Sequence, residues 1–197
     1  MDRRSALRKT SLFAGATVIM PSLLSMLQSC KEVNRIDYTP EFFSLEEAGF
    51  LAAFADTILP KTSTPGALDV NADVFIDKVV ANVYDKKGQE DFKANISKFN
   101  DEAKSAYGKP FSELSKEDKN AFLSVKEKEG GKFNSGVWGT AVGEQEPVSF
   151  YRSLKSTVLW AYFSSEEIGK NVLSYDPIPG AYLGCIPLEE VGNKWSL

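Results

Sequence analysis

Apolar residues along most of this chain recur at intervals of three and four, the spacing that places them on one face of an α-helix. Ser44-Leu45-Glu46-Glu47 has the form of a capping box, in which the serine hydroxyl accepts from a backbone N–H and Glu47 reaches back to the cap. Phe50, Leu51, Phe54, Ala55 and Ile58 then define one apolar face ending at Pro60. Residues 61–69, with Ser63, Thr64, Pro65 and Gly66, have turn chemistry and no period, which predicts a surface loop. A second helix is expected from about Asp73 to Tyr84, with Ile76, Val80, Val83 and Tyr84 inward and Gly88 ending it. The third is the clearest: Phe92, Ile96, Phe99, Ala103 and Tyr107 form a stripe that Gly108 and Pro110 stop.

Ser115-Lys116-Glu117-Asp118 opens a shorter helix through Ala121, Phe122 and Val125, which Gly130-Gly131 closes. The glycines that follow, Gly136, Gly139 and Gly143, match no phosphate-binding spacing and have no apolar strand before them, so they predict a loop. Pro147 can open the last long helix, with Phe150, Tyr151, Leu154, Val158 and Tyr162 as its buried stripe. Ser164-Ser165-Glu166-Glu167 caps a short successor. No stretch alternates at period two for long, so the fold class is all-α: an irregular helical bundle spanning 44–197 as one domain.

Residues 174–188 break the pattern. They are apolar and aromatic, yet three prolines and two glycines bar them from a helix interior or a central strand. This extended Pro/Gly-rich C-terminal arm must cover something, either its own bundle or a neighbouring protein. Tyr175, Pro177, Pro179, Gly180, Tyr182, Gly184, Cys185 and Pro187 are its candidate partner-interface residues. Cys185 itself reads as a small buried apolar residue, because no basic residue stands near it in sequence to activate a thiol.

The first thirty residues read as an address. Arg3, Arg4, Arg8 and Lys9 precede an apolar run from Thr10 to Leu27, the layout of an export signal. The Arg3-Arg4 pair resembles a twin-arginine signal, a route that carries folded cargo. The run ends in Leu27-Gln28-Ser29-Cys30, which resembles a lipoprotein processing site with Cys30 as the lipidated residue, although Gln28 departs from the usual small residue. An uncleaved anchor, or cleavage at another small residue, remains open on this pattern. Residues 31–43 read as a polar tether. The expected location is periplasmic, at the membrane.

Composition narrows the chemistry. The 197 residues contain no histidine, which removes the commonest metal ligand and the commonest general base near neutral pH. Two cysteines far apart in sequence cannot form a covalent haem site, a four-cysteine zinc site or an iron–sulfur cluster. If Cys30 is acylated, Cys185 has no partner for an internal disulfide. The net charge is −4 with the basic excess in the leader, so the body is more acidic still and lacks the footprint of a nucleic-acid binder.

Several segments together resemble a known family, that of gluconate 2-dehydrogenase subunit 3. They are the twin-arginine start, Phe42-Phe43-Ser44 leading into Ala55-Asp56-Thr57-Ile58-Leu59-Pro60, Thr64-Pro65-Gly66-Ala67, Phe75-Ile76-Asp77, and Tyr107-Gly108-Lys109-Pro110-Phe111 with Leu114-Ser115. The longest are Tyr162-Phe163-Ser164-Ser165-Glu166, Gly169, and the run from Tyr175 to Leu188. The resemblance implies a small accessory subunit, not itself an enzyme, paired with a large flavin-dependent sugar or alcohol dehydrogenase at the outer face of the bacterial inner membrane. It places FAD in that partner, allows a cytochrome c subunit beside it, and implies that the large subunit is exported with the small one. This chain would then hold no cofactor, metal or catalytic residue.

Two other readings rest on the residues alone. A free-standing enzyme would use a carboxylate pair such as Asp56 with Asp176 as acid and base. A free-standing lipoprotein would bind a small ligand beneath the Tyr175 to Tyr182 arm and would need a concave apolar pocket there.

Overall fold

The computed structural model describes residues 38–130, 136–137, 140–141, 147–176, 178, 180 and 184–196. Arg3, Arg4 and Cys30, and in the arm Pro177, Pro179 and Tyr182, lie outside them. Helix α1 spans Leu45–Ile58, α2 Ala72–Val83, α3 Lys86–Tyr107, α4 Lys116–Glu129, α5 Phe150–Phe163, α6 Glu166–Asn171 and α7 Leu188–Val191. A 3-10 turn, Phe111–Glu113, links α3 to α4. Between α4 and α5, Gly136–Val137 pairs antiparallel with Thr140–Ala141 in a two-residue ladder, too short to change an all-α architecture.

Helix α1 begins as its sequence dictates. Glu47 N–H donates to Ser44 Oγ at 3.2 Å while Ser44 N–H donates to Glu47 Oε2 at 2.8 Å, so both halves of the capping box are made. The helix then runs through the middle of the core, with Phe50, Leu51, Phe54 and Ala55 buried. Rings from three other elements touch it. Phe50 meets Phe99 of α3 with centroids 5.5 Å apart and Phe111 of the 3-10 turn at 5.8 Å, and Phe54 meets Tyr151 of α5 at 6.0 Å. Phe99 also meets Phe122 of α4 at 5.1 Å, edge to face. Such pairs add about 0.5–1.5 kcal/mol each beyond the area they bury.

The turns around this core are specified locally. Gly108 closes α3 in the left-handed conformation at φ 75°, which a side chain would resist. Asn100 Oδ1, buried on α3, accepts from Phe111 N–H at 3.1 Å and fixes the 3-10 turn against it. The loop after α1 folds back on itself: Ala67 N–H donates to Leu59 O at 2.8 Å, and Gly66 N–H to Asp69 Oδ2 at 2.8 Å. A side chain at Gly66 would lie 2.6 Å from Lys61 N, so only glycine permits this approach. Tyr162 Oη of α5 donates to Pro65 O at 2.8 Å and pins the loop to the bundle.

Several sequence expectations shift. Val83 is 73% exposed and Tyr84 half-exposed rather than inward, because α2 ends at Val83 and Tyr84 is already extended. Gly88 does not end that helix; it stands in the first turn of α3, where its N–H donates to the Asp85 cap at 2.7 Å. Helix α4 buries Phe122 and Leu123 but leaves Ala121 and Val125 exposed, its face rotated so that Phe122 reaches Phe99 and Phe111. Tyr107, expected in the α3 stripe, is only partly covered at the helix end. Ser149, rather than Pro147, caps α5, its Oγ accepting from Arg152 N–H at 3.4 Å.

The end of the stretch read as a tether is also bound into the bundle. Asp77 of α2 is buried, and its carboxylate accepts from the backbone N–H groups of Glu41 at 2.7 Å, Phe42 at 3.2 Å and Phe43 at 3.0 Å. Phe43 packs in the core against Phe92. Lys93 of α3 lies over the Phe42 ring and donates to its carbonyl at 3.3 Å. A carboxylate buried this way is satisfied as a helix N-cap is, by converging N–H donors.

Candidate partner surface

The surface of interest starts on α5. Its inner face carries Tyr151, Leu154, Val158, Ala161 and Tyr162 into the core, which leaves Trp160 and Phe163, three residues apart, on the outer edge. Trp160 is 56% exposed although it packs edge-on against Phe75 of α2 at 4.9 Å. Phe163 is partly covered by Lys194, whose ammonium lies 5.4 Å from the ring centroid. That contact brings the C-terminal segment to the end of α5.

The segment is tied there by Ser174. Its N–H donates to Lys194 O and its carbonyl accepts from Ser196 N–H, both at 3.0 Å, which forms an isolated parallel bridge opposite Trp195. Its hydroxyl donates to Val191 O and accepts from Asn193 N–H at 3.1 Å. Asn193 completes the closure by donating from Nδ2 to Val172 O at 2.8 Å. Gly192, at φ 76°, supplies the left-handed turn that delivers Asn193 to Ser174. None of these residues carried a signal in the sequence, because their partners lie about twenty positions away.

Between these ties the described residues are exposed. Ile178 and Leu188 are 84% and 85% exposed, and Tyr175, Ile186 and Trp195 are only partly covered. Of the predicted interface set, Tyr175, Gly180, Gly184, Cys185 and Pro187 are therefore open to solvent. Cys185 departs from its expected burial and is a free, exposed cysteine, because this part of the chain is not packed into the aromatic core. The charges here are mainly acidic: Asp176, Glu189 and Glu190 in the segment, with Glu166 and Glu167 on α6. Glu166 is held below the usual carboxylate range by its bond to Lys170 at 2.7 Å.

A second polar cluster joins α4 to α5 and was not foreseen. Glu127 takes Lys155 Nζ at 2.7 Å and Arg152 at 3.5 Å. Hydrogen bonds from Lys155 and then Tyr151 hold its carboxyl below the ordinary value, while burial, and after it the bond and charge of Glu127, push the Tyr151 hydroxyl well up. These are ties between helices. The candidate acid–base pair is not assembled: Asp56 is exposed on α1 beside Lys119 of α4, Asp176 is exposed beyond Ser174, and no hydrogen bond or ion pair joins them.

Depressions mark the described surface. One, of about 780 Å³, is an open strip along α3 lined by Ala94, Lys98, Asp101 and Glu102 among others. Another, of about 370 Å³, lies between the loop after α1 and α6, where it meets Asp69, Glu166 and Glu167. Neither is lined by the arm. Among the described residues no group of three or more histidine, cysteine or acidic residues is placed to hold a metal ion, and no helix is long and apolar enough to cross a membrane.

The sequence model for gluconate 2-dehydrogenase subunit 3 matches residues 45–180, more than half of the chain. The chain belongs to that family. No curated protein and no solved structure matches it. Membership in the gluconate 2-dehydrogenase subunit 3 family makes it a subunit of a dehydrogenase complex, and association with other subunits goes with that role. The matched stretch runs from α1 through α6 into the arm; Asn193 and the Trp195 bridge to Ser174 lie beyond it.

Proposed function

We propose that this chain is the non-catalytic small subunit of a periplasmic, membrane-associated, flavin-dependent sugar or alcohol dehydrogenase. It supplies the export signal through Arg3 and Arg4, is anchored through lipidated Cys30, and holds the large flavoprotein against its α5 edge and C-terminal segment. The family resemblance leaves room for a cytochrome c subunit in the same complex.

The observation that carries this reading is that the end of α5 and the C-terminal segment, brought together by the Lys194–Phe163 contact, leave Trp160, Phe163, Tyr175, Ile178, Leu188 and Trp195 at least two-fifths exposed. An exposed apolar patch with a polar surround is the usual mark of a protein interface. The flavin fits the partner better than this chain. One depression of the described surface is rimmed by three carboxylates against a single lysine, Lys170, a balance that disfavours a dinucleotide's phosphates, and another is an open face on one helix. Twin-arginine export suits the arrangement, since a folded pair can cross with its flavin already bound.

The test is co-purification from the native membrane. A flavin absorbance spectrum in the pull-down, lost when the chain is truncated before Ser174, is the expected outcome. A monomer that brings down no flavoprotein would refute the reading. Replacing Arg3-Arg4 by Lys-Lys should strand both proteins in the cytoplasm, and mass spectrometry of the mature amino terminus reports acylation at Cys30.

A further inference from the structure

Helix α5 differs from its neighbours in what it shows to solvent. Its only charged residues are Arg152 and Lys155, and both are turned to Glu127 of α4, at 3.5 and 2.7 Å. The face opposite its buried stripe therefore carries no charge: Ser153, Ser156, Trp160 and Phe163 are exposed there at helical spacing. Helices α3 and α4 expose the usual mixture instead, with Lys98 and Asp101 on one and Lys116 and Glu117 on the other. Loss of charge around an exposed aromatic residue is the compositional mark of an interface centre, because charges there would have to be stripped of water.

The hydroxyls on this face are less polar than the sequence suggests. Thr157 Oγ1 donates to Ser153 O at 3.0 Å and Ser164 Oγ to Trp160 O at 2.7 Å, so both are spent on the helix's own backbone and leave mainly carbon to be met. Phe75 of α2 braces the indole edge-on at 4.9 Å, which limits the side-chain entropy that binding would cost. More than half of Trp160 is nevertheless exposed, and its indole N–H has no hydrogen-bond partner among the described residues. Covering the ring removes water from that donor, so whatever covers it has to bring an acceptor. Charges flank the stripe: Lys78 follows Phe75 by three positions on α2, and Lys194 lies over the Phe163 ring. A strongly charged surface would lose its own hydration against the centre of the stripe and gain nothing in return.

We propose that the outer face of α5, centred on Trp160 and braced by Phe75, docks into an uncharged apolar groove of the large dehydrogenase subunit, where a backbone carbonyl accepts the indole N–H. The proposal rests on the subunit reading above and adds to it the chemistry of the opposing surface.

The experiment measures affinity of the full chain for its co-expressed flavoprotein by surface capture, with Tm recorded for every variant. Ser156→Lys and Ser156→Glu place a charge of either sign at an exposed helical position, so Tm should not move. Both should weaken capture about tenfold or more, because neither charge finds a counterpart in the groove. Trp160→Phe, which keeps a ring and loses the N–H, should weaken capture several-fold, and less than Trp160→Ser does. Opposite responses to the two charges at position 156 would show a charged opposing surface and overturn the proposal. Full affinity in Trp160→Phe would overturn the carbonyl acceptor. Capture unchanged in all four variants would overturn the α5 face while leaving the subunit reading intact, and a loss of self-association or of phosphatidylcholine-vesicle binding in Trp160→Ser would then give the face to a second copy or to lipid. Failure of the parent chain to capture the flavoprotein would refute the subunit reading itself.

Discussion

The body of this protein and its C-terminal segment are held by opposite means. From α1 to α5 the chain is organised around rings: Phe50, Phe54, Phe99, Phe111 and Phe122 interlock, and hydrogen bonds serve mainly to set turns. Among the described residues beyond Ser174 the order is reversed, with a polar closure and apolar residues facing outward. Burial supplies most of a domain's stability, so the described apolar residues that this segment leaves outside contribute little to it. The contrast separates the part that must fold from the part that must be met.

The largest effect should come from the centre of the body. Phe54→Ala removes a ring that touches α3, α5 and the 3-10 turn, and should cost about 3–5 kcal/mol in chemical denaturation. Next is Asp77→Ala, which leaves the N–H groups of residues 41–43 without their shared carboxylate and should cost roughly 2–3 kcal/mol. Protease sensitivity should then appear ahead of Ser44, since that stretch is no longer tied to α2. Were Asp77→Ala to leave stability unchanged, the entry of the chain into the bundle would not depend on this carboxylate.

Trp160→Ser should separate the two regions most cleanly. The residue is more than half exposed, so Tm should move little, whereas capture of the large subunit should weaken by about 1–3 kcal/mol if Trp160 is an interface anchor. The smallest effect concerns pH. Glu127 has a folded-state pKa below its ordinary value, so its contribution is present above the unfolded pKa near 4.3 and is lost as pH falls through the folded value. Acid titration of stability should therefore steepen below about pH 4 in the parent and flatten in Glu127→Gln, while Phe54 and its neighbours respond to neither.

Much of the body was legible in the sequence because its signals are local. The Ser44 capping box, the Phe92 to Tyr107 stripe with its Gly108 stop, and the Ser115 cap all use partners within a few residues. What sequence reasoning missed depends on distant partners. Asp77 sits one position after Ile76 in a helical pattern, and nothing nearby reveals that its three donors lie more than thirty residues upstream. Val83 and Tyr84 continue the apolar spacing of α2, but the helix ends there, so Val83 stays exposed and Tyr84 reaches only the Phe92 ring, edge to face. At the candidate surface, Tyr175 and Pro187 are exposed, while Pro177 and Pro179 lie outside the described residues. The closure by Ser174 and Asn193 and the exposure of Cys185 were not legible, since each depends on where the end of the chain returns.

Hydrogen exchange of the mature chain, alone and in complex with the flavoprotein, tests the division most directly. The account predicts new protection confined to the Trp160–Phe163 edge of α5 and to residues 174–196, with the slow amides of α1 and α3 unaltered. Protection gained instead along the outer strip of α3, around Lys98 and Asp101, with none at the C-terminal loop, would contradict it.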